Sequence, residues 1–217
     1  IAHPIPQFDI QGETSFCAGQ SVSIGVQESF EEYLWSNGAN NPEIVIDNQG
    51  QYSVEVTDIN GCSNNSEITI IEHPLPVFDI DAPSFFCENE VANLVVEEGF
   101  AAYLWSNGST DPSIAINDGG TFGLSVTNNF GCIDSSMTTV AEIPLPTSNA
   151  GNDGEITCDD PVINLDGSNS SAVGQIQFIW EGPGITPTNM NQESPEVSIP
   201  GLYYLSILDT EYQCQSS

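Results

Sequence analysis

Apolar and polar residues alternate with a period of two along most of this chain, the pattern of half-buried antiparallel strands. Val22, Ile24 and Val26 share one face. So do Tyr33 and Trp35, Ile44 and Ile46, and Tyr52, Val54 and Val56, with Ile68 and Ile70 further on. The pattern returns at Leu94 and Val96, Tyr103 and Trp105, Ile114 and Ile116, and Phe122, Leu124 and Val126. It returns again, more loosely, at Ile163 and Leu165, Phe178 and Trp180, Val197 and Ile199, and Tyr203, Leu205 and Ile207. Turn-forming sequences such as Ser36-Asn37-Gly38, Asn48-Gln49-Gly50 and Asn60-Gly61 separate the runs. No window carries a helical period, so the chain is expected to be all-β.

The alternation repeats because the chain does. Cys17, Trp35 and Cys62 recur as Cys87, Trp105 and Cys132, each 70 residues after its counterpart, and Tyr33-Leu34-Trp35-Ser36-Asn37-Gly38 recurs as Tyr103-Leu104-Trp105-Ser106-Asn107-Gly108. A longer third copy carries Cys158, Trp180 and Cys214. The junctions His3-Pro4-Ile5-Pro6, His73-Pro74-Leu75-Pro76 and Ile143-Pro144-Leu145-Pro146 also match. A Pro-x-Pro segment favours extended, semi-rigid backbone. The expected organisation is residues 1–5 as the tail of a preceding module or a linker, then modules at 6–73, 74–143 and 144–217. The third is expected to lack its last strand, since little follows Cys214.

Six or seven short strands in about 70 residues, with a Trp between two Cys, predict a small two-sheet sandwich of immunoglobulin type. The chain is then a tandem array of three. Two cysteines per module predict the pairs Cys17–Cys62, Cys87–Cys132 and Cys158–Cys214, each clipping the loop before one strand to a late turn. In the chain-entropy model a disulfide over such a loop contributes roughly 4 kcal/mol, which matters for cores this small. It also implies an oxidising compartment. Zinc is disfavoured, because the cysteines are not closely paired and only two histidines exist.

Charge then narrows the partners. There are 31 Asp and Glu, no Lys or Arg, and a formal net charge of −31. Such a surface repels nucleic acid and anionic membranes. It allows no Lys Schiff base and no Arg clamp on a phosphate. No run of apolar residues is long enough to span a membrane.

Chemistry is sparse. His3 and His73 hold equivalent linker positions that Ile143 fills at the next junction, which indicates packing or capping rather than catalysis. No module contains a Ser-His or Cys-His pair. With so many carboxylates, pairing of two is uninformative about glycoside hydrolysis, and Glu31 and Glu32 become Ala101 and Ala102 in the next copy. Trp35, Trp105 and Trp180 alternate with core residues and are assigned to the core. Phe30 and Phe100 either seal the sandwich ends or stand exposed. Calcium is the one ligand whose oxygen chemistry the chain offers. The candidate ligands are Asp9, Asp79 and Asp81 near module starts and Asp153 in the acidic cluster with Asn152, Asp159 and Asp160. The Asn-x-Ser triplets at Asn64, Asn107 and Asn169 are read as chance, with glycan attachment by another route as the alternative.

With the Cys-Trp-Cys frame and the run Gly50-Gln51-Tyr52-Ser53-Val54-Glu55-Val56-Thr57-Asp58-Ile59-Asn60-Gly61-Cys62, the chain resembles the immunoglobulin-like and PKD-like repeats of large Bacteroidota surface proteins, including gliding-motility adhesins. The third copy resembles a sister type through Asn149-Ala150-Gly151-Asn152-Asp153 and Trp180-Glu181-Gly182-Pro183-Gly184. The resemblance implies export by the type IX secretion system, an extracellular cell-surface location and a structural stalk or fibre without enzymatic activity. Neighbouring repeats, and lateral association of chains, are the partners it suggests. The alternative is a module that binds polysaccharide or protein, accessory to a secreted hydrolase. The two differ in whether the recurring aromatics are buried or displayed on a loop face.

Overall fold

The computed structural model describes residues 3–216; the expected tail of a preceding module at Ile1 and Ala2 lies outside the described residues. All regular structure among them is β. The first repeat holds seven strands: β1 (Ile10–Gly12), β2 (Ser15–Cys17), β3 (Val22–Val26), β4 (Glu32–Trp35), β5 (Glu43–Ile46), β6 (Gly50–Thr57) and β7 (Ser63–His73). They form a three-stranded sheet, β1-β3-β5, and a four-stranded sheet, β2-β7-β6-β4. All pairs are antiparallel except β2 and β7, which run parallel with Ser15 opposite Ile71 and Cys17 opposite His73. This is an immunoglobulin-type sandwich, with Trp35 on the strand where such folds bury their tryptophan.

Alternation dictates the core. Val22, Ile24, Val26, Ile44 and Ile46 from one sheet meet Phe16, Trp35, Val54, Val56 and Ile70 from the other, and Phe8, Phe30, Tyr33 and Tyr52 pack around them. Each fully buried aliphatic side chain contributes about 1.5–3 kcal/mol of transfer free energy. The cysteine pair that bridges the sheets in antibody domains is replaced here by aliphatic packing. The Tyr52 hydroxyl donates to the Asn48 carbonyl at 2.9 Å, closing the corner before β6. Tyr203 makes the same bond to the Ile199 carbonyl in the third repeat, whereas Phe122 at the second has no hydroxyl to do so.

The second repeat repeats the strand list: β8 (Ile80–Asp81), β9 (Phe85–Cys87), β10 (Ala92–Val96), β11 (Ala102–Trp105), β12 (Ser113–Ile116), β13 (Gly120–Thr127) and β14 (Ile133–Ile143). Its sheets are β12-β10-β8 and β11-β13-β14-β9, again with a parallel pair in which Cys87 lies opposite Ile143. The equivalent positions Leu94, Val96, Trp105, Ile114, Ile116, Leu124, Val126 and Val140 are all buried. The third repeat is leaner, with β15 (Ile163–Asn164) paired to β17 (Glu196–Val197) and β16 (Ile176–Glu181) paired to β18 (Tyr204–Asp209). Trp180, Leu205 and Ile207 form its core with Leu165, Phe178 and Tyr203. Ile199, expected on the inner face, is half exposed because β17 ends at Val197 and Pro200 follows. Gln215 and Ser216 turn back along β18, where the Ser216 amide donates to the Ile207 carbonyl at 2.9 Å.

The chain gathers into two compact units. One comprises residues through Phe78 together with Glu98–Leu104 and Leu124–Ser135. The other comprises Asp79–Glu97, Trp105–Gly123 and Ser136 onward. Each unit contains one complete junction between consecutive repeats.

Candidate functional site

The cysteines connect differently from the expectation. Cys17 is bonded to Cys132 and Cys87 to Cys214, over sequence separations of 115 and 127, and Cys62 and Cys158 are free. The expected pairs Cys17–Cys62, Cys87–Cys132 and Cys158–Cys214 do not form. The first cysteine of one repeat is instead joined to the last cysteine of the next.

Strand register supplies the reason. Cys17 lies opposite His73, the last residue of the eleven-residue β7, whereas Cys62 immediately precedes Ser63, its first residue. At about 3.3 Å per residue the two cysteines are separated by roughly 30 Å of strand, and a disulfide needs Cα atoms within about 7 Å. Cys87 and Cys132 sit at opposite ends of β14 in the same way. The parallel strand thus delivers the first cysteine to the end of the repeat where the chain departs, beside the loop that carries the next repeat's last cysteine. Both bonded pairs have Cα atoms 5.6 Å apart.

Each last cysteine sits on a loop built around one Asx side chain. Asp58 Oδ1 accepts hydrogen bonds from the Asn60 amide at 2.8 Å and the Cys62 amide at 2.9 Å. Asn128 Oδ1 accepts from Phe130 and Cys132 at 2.9 and 3.0 Å. Asp209 Oδ1 accepts from Glu211 and Tyr212 at 3.0 and 3.3 Å. In all three loops the Asx amide in turn donates to the cysteine carbonyl, at 2.8–2.9 Å. The residue before each cysteine has positive φ: Gly61 at 79°, Gly131 at 82° and Gln213 at 60°. Glycine adopts this conformation freely, while Gln213 holds it at a cost of about 1–2 kcal/mol.

The Cys62 amide holds the Asp58 carboxyl below its ordinary value of 3.8, with the Asn60 amide and side chain and the positive field of His3 acting in the same direction. At Asp209 burial pushes the carboxyl up, and the amides of Gly174, Glu211, Tyr212 and Val173 together outweigh it, so the net shift is also downward. A depressed carboxyl stabilises the loop at pH above the unfolded value, and that stabilisation is lost as pH falls through the lower folded value. The Cys62 amide resonance should therefore titrate with a midpoint below 3.8. Asp58→Asn should abolish that titration while preserving the loop, as Asn128 does in the next repeat; NMR titration between about pH 2 and 6 checks both.

Packing completes each junction. At the first, the His73 ring stacks on Phe130 with centroids 4.1 Å apart, the His73 carbonyl accepts from Ala18 at 2.9 Å, and the Asn128 side-chain amide donates to the Pro74 carbonyl at 2.8 Å. At the second, Cys87, Ile143 and Cys214 are buried against Phe85, Leu145 and Tyr212. Phe85 and Tyr212 meet edge to face at 5.2 Å. Replacement of His73 by Ile143 is therefore a change of packing partner. His3 is exposed. The second proline of each linker, Pro6, Pro76 and Pro146, is buried.

The other expected site residues are not gathered into a site. Asp9, Asp79, Asp81 and Asp153 are all exposed. Among the described residues no group of three or more His, Cys, Asp or Glu side chains is arranged to hold a metal ion. Trp35, Trp105 and Trp180 are 1–2% exposed, and their indole N–H groups donate to the carbonyls of Asn41, Asp111 and Gln192 at 2.8–3.0 Å. Phe30 and Phe100 seal the ends of their sandwiches, each edge to face with a neighbour on either side, Phe8 and Tyr33 for one and Phe78 and Tyr103 for the other. Among the described residues no helix is long and apolar enough to cross a membrane.

The chain matches no protein-family model and no curated protein. Among solved structures it is similar to extracellular domains 3–5 of Drosophila OTK, at 12% identity over 99% of this chain and 97% of that one, with a TM-score of 0.40. It is similar to the titin I-band fragment I67–I69, at 12% identity over 99% and 98%, with a TM-score of 0.40. It is also similar to a structure from a 1.5-MDa bacterial ice-binding adhesin, at 13% identity over 98% and 87%, with a TM-score of 0.31. At these values the likenesses carry no functional weight, and the immunoglobulin-type fold stands on the strand order and register above.

Proposed function

We propose that this chain is a tension-carrying segment of an extracellular bacterial surface adhesin or filament, and that it has no catalytic role. The observation that supports this most is the pair of disulfides joining successive repeats, Cys17–Cys132 and Cys87–Cys214. A link from one repeat to the next adds nothing to a ligand pocket. It gives each junction a second covalent path beside its Pro-x-Pro linker, so neither junction depends on one strand of backbone. The recurring aromatics are buried or packed at sandwich ends rather than displayed, as a stalk requires and a sugar-binding platform does not. Disulfides suit the oxidising exterior of a cell, and a chain without Lys or Arg offers trypsin-like proteases no cleavage site.

Single-molecule pulling from the two termini tests this reading. In the oxidised chain even complete unfolding leaves only residues 1–17, 87–132 and 214–217 on the stressed path. That is about 65 residues, or ~220 Å at ~3.4 Å each, against ~740 Å for the reduced chain. Oxidised molecules that lengthen well beyond ~220 Å would contradict the reading, as would specific capture of a polysaccharide on a glycan array by the intact fold.

A further inference from the structure

We propose that the Cys17–Cys132 bridge is a site of thiol–disulfide exchange, opened selectively by small thiols whose thiolate form carries no net negative charge, while Cys87–Cys214 stays closed. The two bridges obey the same register, and both have Cα atoms 5.6 Å apart. They differ in access. Cys132 and Cys214 are sealed alike, each 1% exposed. Cys87 is also buried, at 8%, whereas Cys17 is only half-buried. Exchange begins when a thiolate reaches one sulfur of the bridge, so access decides between the two.

Two residues account for the difference. At the second junction Phe85 packs against Cys87 and Cys214 and meets Tyr212 edge to face, with Ile143 buried beside them. The first repeat has Ser15 in place of Phe85 and His73 in place of Ile143, each 70 residues earlier. Ser15 has no ring to cover the bridge. A cavity of about 240 Å³ lies there, lined in part by Glu13, Ser15, Cys17, Gln20, His73 and Phe130. Glu13 and Gln20 are exposed, so the cavity opens to solvent. Its approach is acidic, because Glu13 lines it and the chain carries a net charge of −31 with no Lys or Arg. An aminothiol such as cysteamine, whose ammonium balances its thiolate, meets less repulsion there than glutathione, whose thiolate form is a dianion.

The exchange balances with two small thiols. The first thiolate attacks the Cys17 sulfur, expels Cys132 as thiolate and leaves a mixed disulfide on Cys17. The second attacks the small-molecule sulfur of that mixed disulfide and expels the Cys17 thiolate. Two electrons and two protons pass to Cys17 and Cys132, and the two small thiols depart as their disulfide. The first junction is then held by its backbone linker alone, while the second keeps both covalent paths. The inference rests on access to the sulfur and holds whether or not the array carries tension.

The experiment uses the 217-residue chain with Cys62→Ser and Cys158→Ser, which leaves the two bridges as its only cysteines. Samples are pulsed with cysteamine, quenched with acid and alkylated, and the loss of each crosslink is followed by peptide mapping. Cys17–Cys132 should open at least ~10-fold faster than Cys87–Cys214, with the circular dichroism of the fold retained. Ser15→Phe should slow the first bridge, and Phe85→Ser, the reciprocal change, should speed the second. Glutathione should open Cys17–Cys132 more slowly than cysteamine, and the gap should narrow in ~1 M salt, where the Debye length is ~3 Å. Equal rates at the two bridges would overturn the proposal, as would rates that neither Ser15→Phe nor Phe85→Ser changes. A gap between the two thiols that ignores salt would overturn the assigned thiol class.

Discussion

Replacing Cys17 with Ser should destabilise the first two repeats by up to about 5 kcal/mol, the chain-entropy value for a loop of some 115 residues, and should release the thiol of Cys132. The second outcome is the more diagnostic. Wild type has free thiols at Cys62 and Cys158, so the variant should label at three positions, with Cys132 the new one. The junction at Cys87–Cys214 should be unaffected. Denaturant unfolding of wild type and variant gives the energetic comparison, and thiol alkylation followed by peptide mapping gives the connectivity. If the variant instead carried label at Cys62 that wild type lacks, Cys17 would have been bonded within its own repeat.

The second large effect concerns Trp35. Its side chain is 2% exposed, packs between the two sheets and donates its N–H to the Asn41 carbonyl at 2.8 Å. Trp35→Ala should cost about 3–5 kcal/mol through lost transfer energy and the cavity left behind. A 70-residue repeat holds a stability of only about 4–10 kcal/mol, so the variant should leave the first repeat largely unfolded at 37 °C. Trp35→Phe keeps most of the volume and leaves the Asn41 carbonyl without its donor, so it should cost less. Urea unfolding followed by circular dichroism measures both. A Trp35→Ala cost below 1 kcal/mol would mean that the indole is a surface platform.

These two predictions draw on different levels of legibility. The core was readable because side-chain direction in a strand alternates with sequence position, and burial follows it residue by residue. Val22, Ile24, Val26, Val54 and Val56 are all buried as the pattern requires. The Trp assignments follow from the same rule. Where a strand is only two residues long, as at Glu196–Val197, alternation has too little length to constrain the next residue, and Ile199 turned outward.

The disulfides lay beyond that rule. Two cysteines per 70-residue repeat establish how many bonds can form, but pairing depends on which end of β7 the short strand β2 meets. The long apolar–polar run from Ser63 to His73 did contain a signal, because it carries the chain some 30 Å away from Cys62 before the linker begins. That signal becomes decisive only once β2 is known to pair parallel to β7 at the far end, and a three-residue strand has no alternation long enough to announce its partner. The candidate site was therefore visible as residues and invisible as a junction. His73 and Ile143 show the same limit. Their shared position indicated packing, but the partners that complete it, Phe130 in one case and Cys214 in the other, belong to the following repeat.

The most direct test of cross-repeat bonding is a non-reducing peptide map of the purified monomer, alkylated first and then cut by a Glu-specific protease. A glutamate separates every consecutive pair of cysteines, so each falls on its own peptide. The structure predicts two crosslinked species, Cys17 with Cys132 and Cys87 with Cys214, and alkylated Cys62 and Cys158. Crosslinks of Cys17 with Cys62, Cys87 with Cys132 and Cys158 with Cys214 would contradict it and return each disulfide to a single repeat.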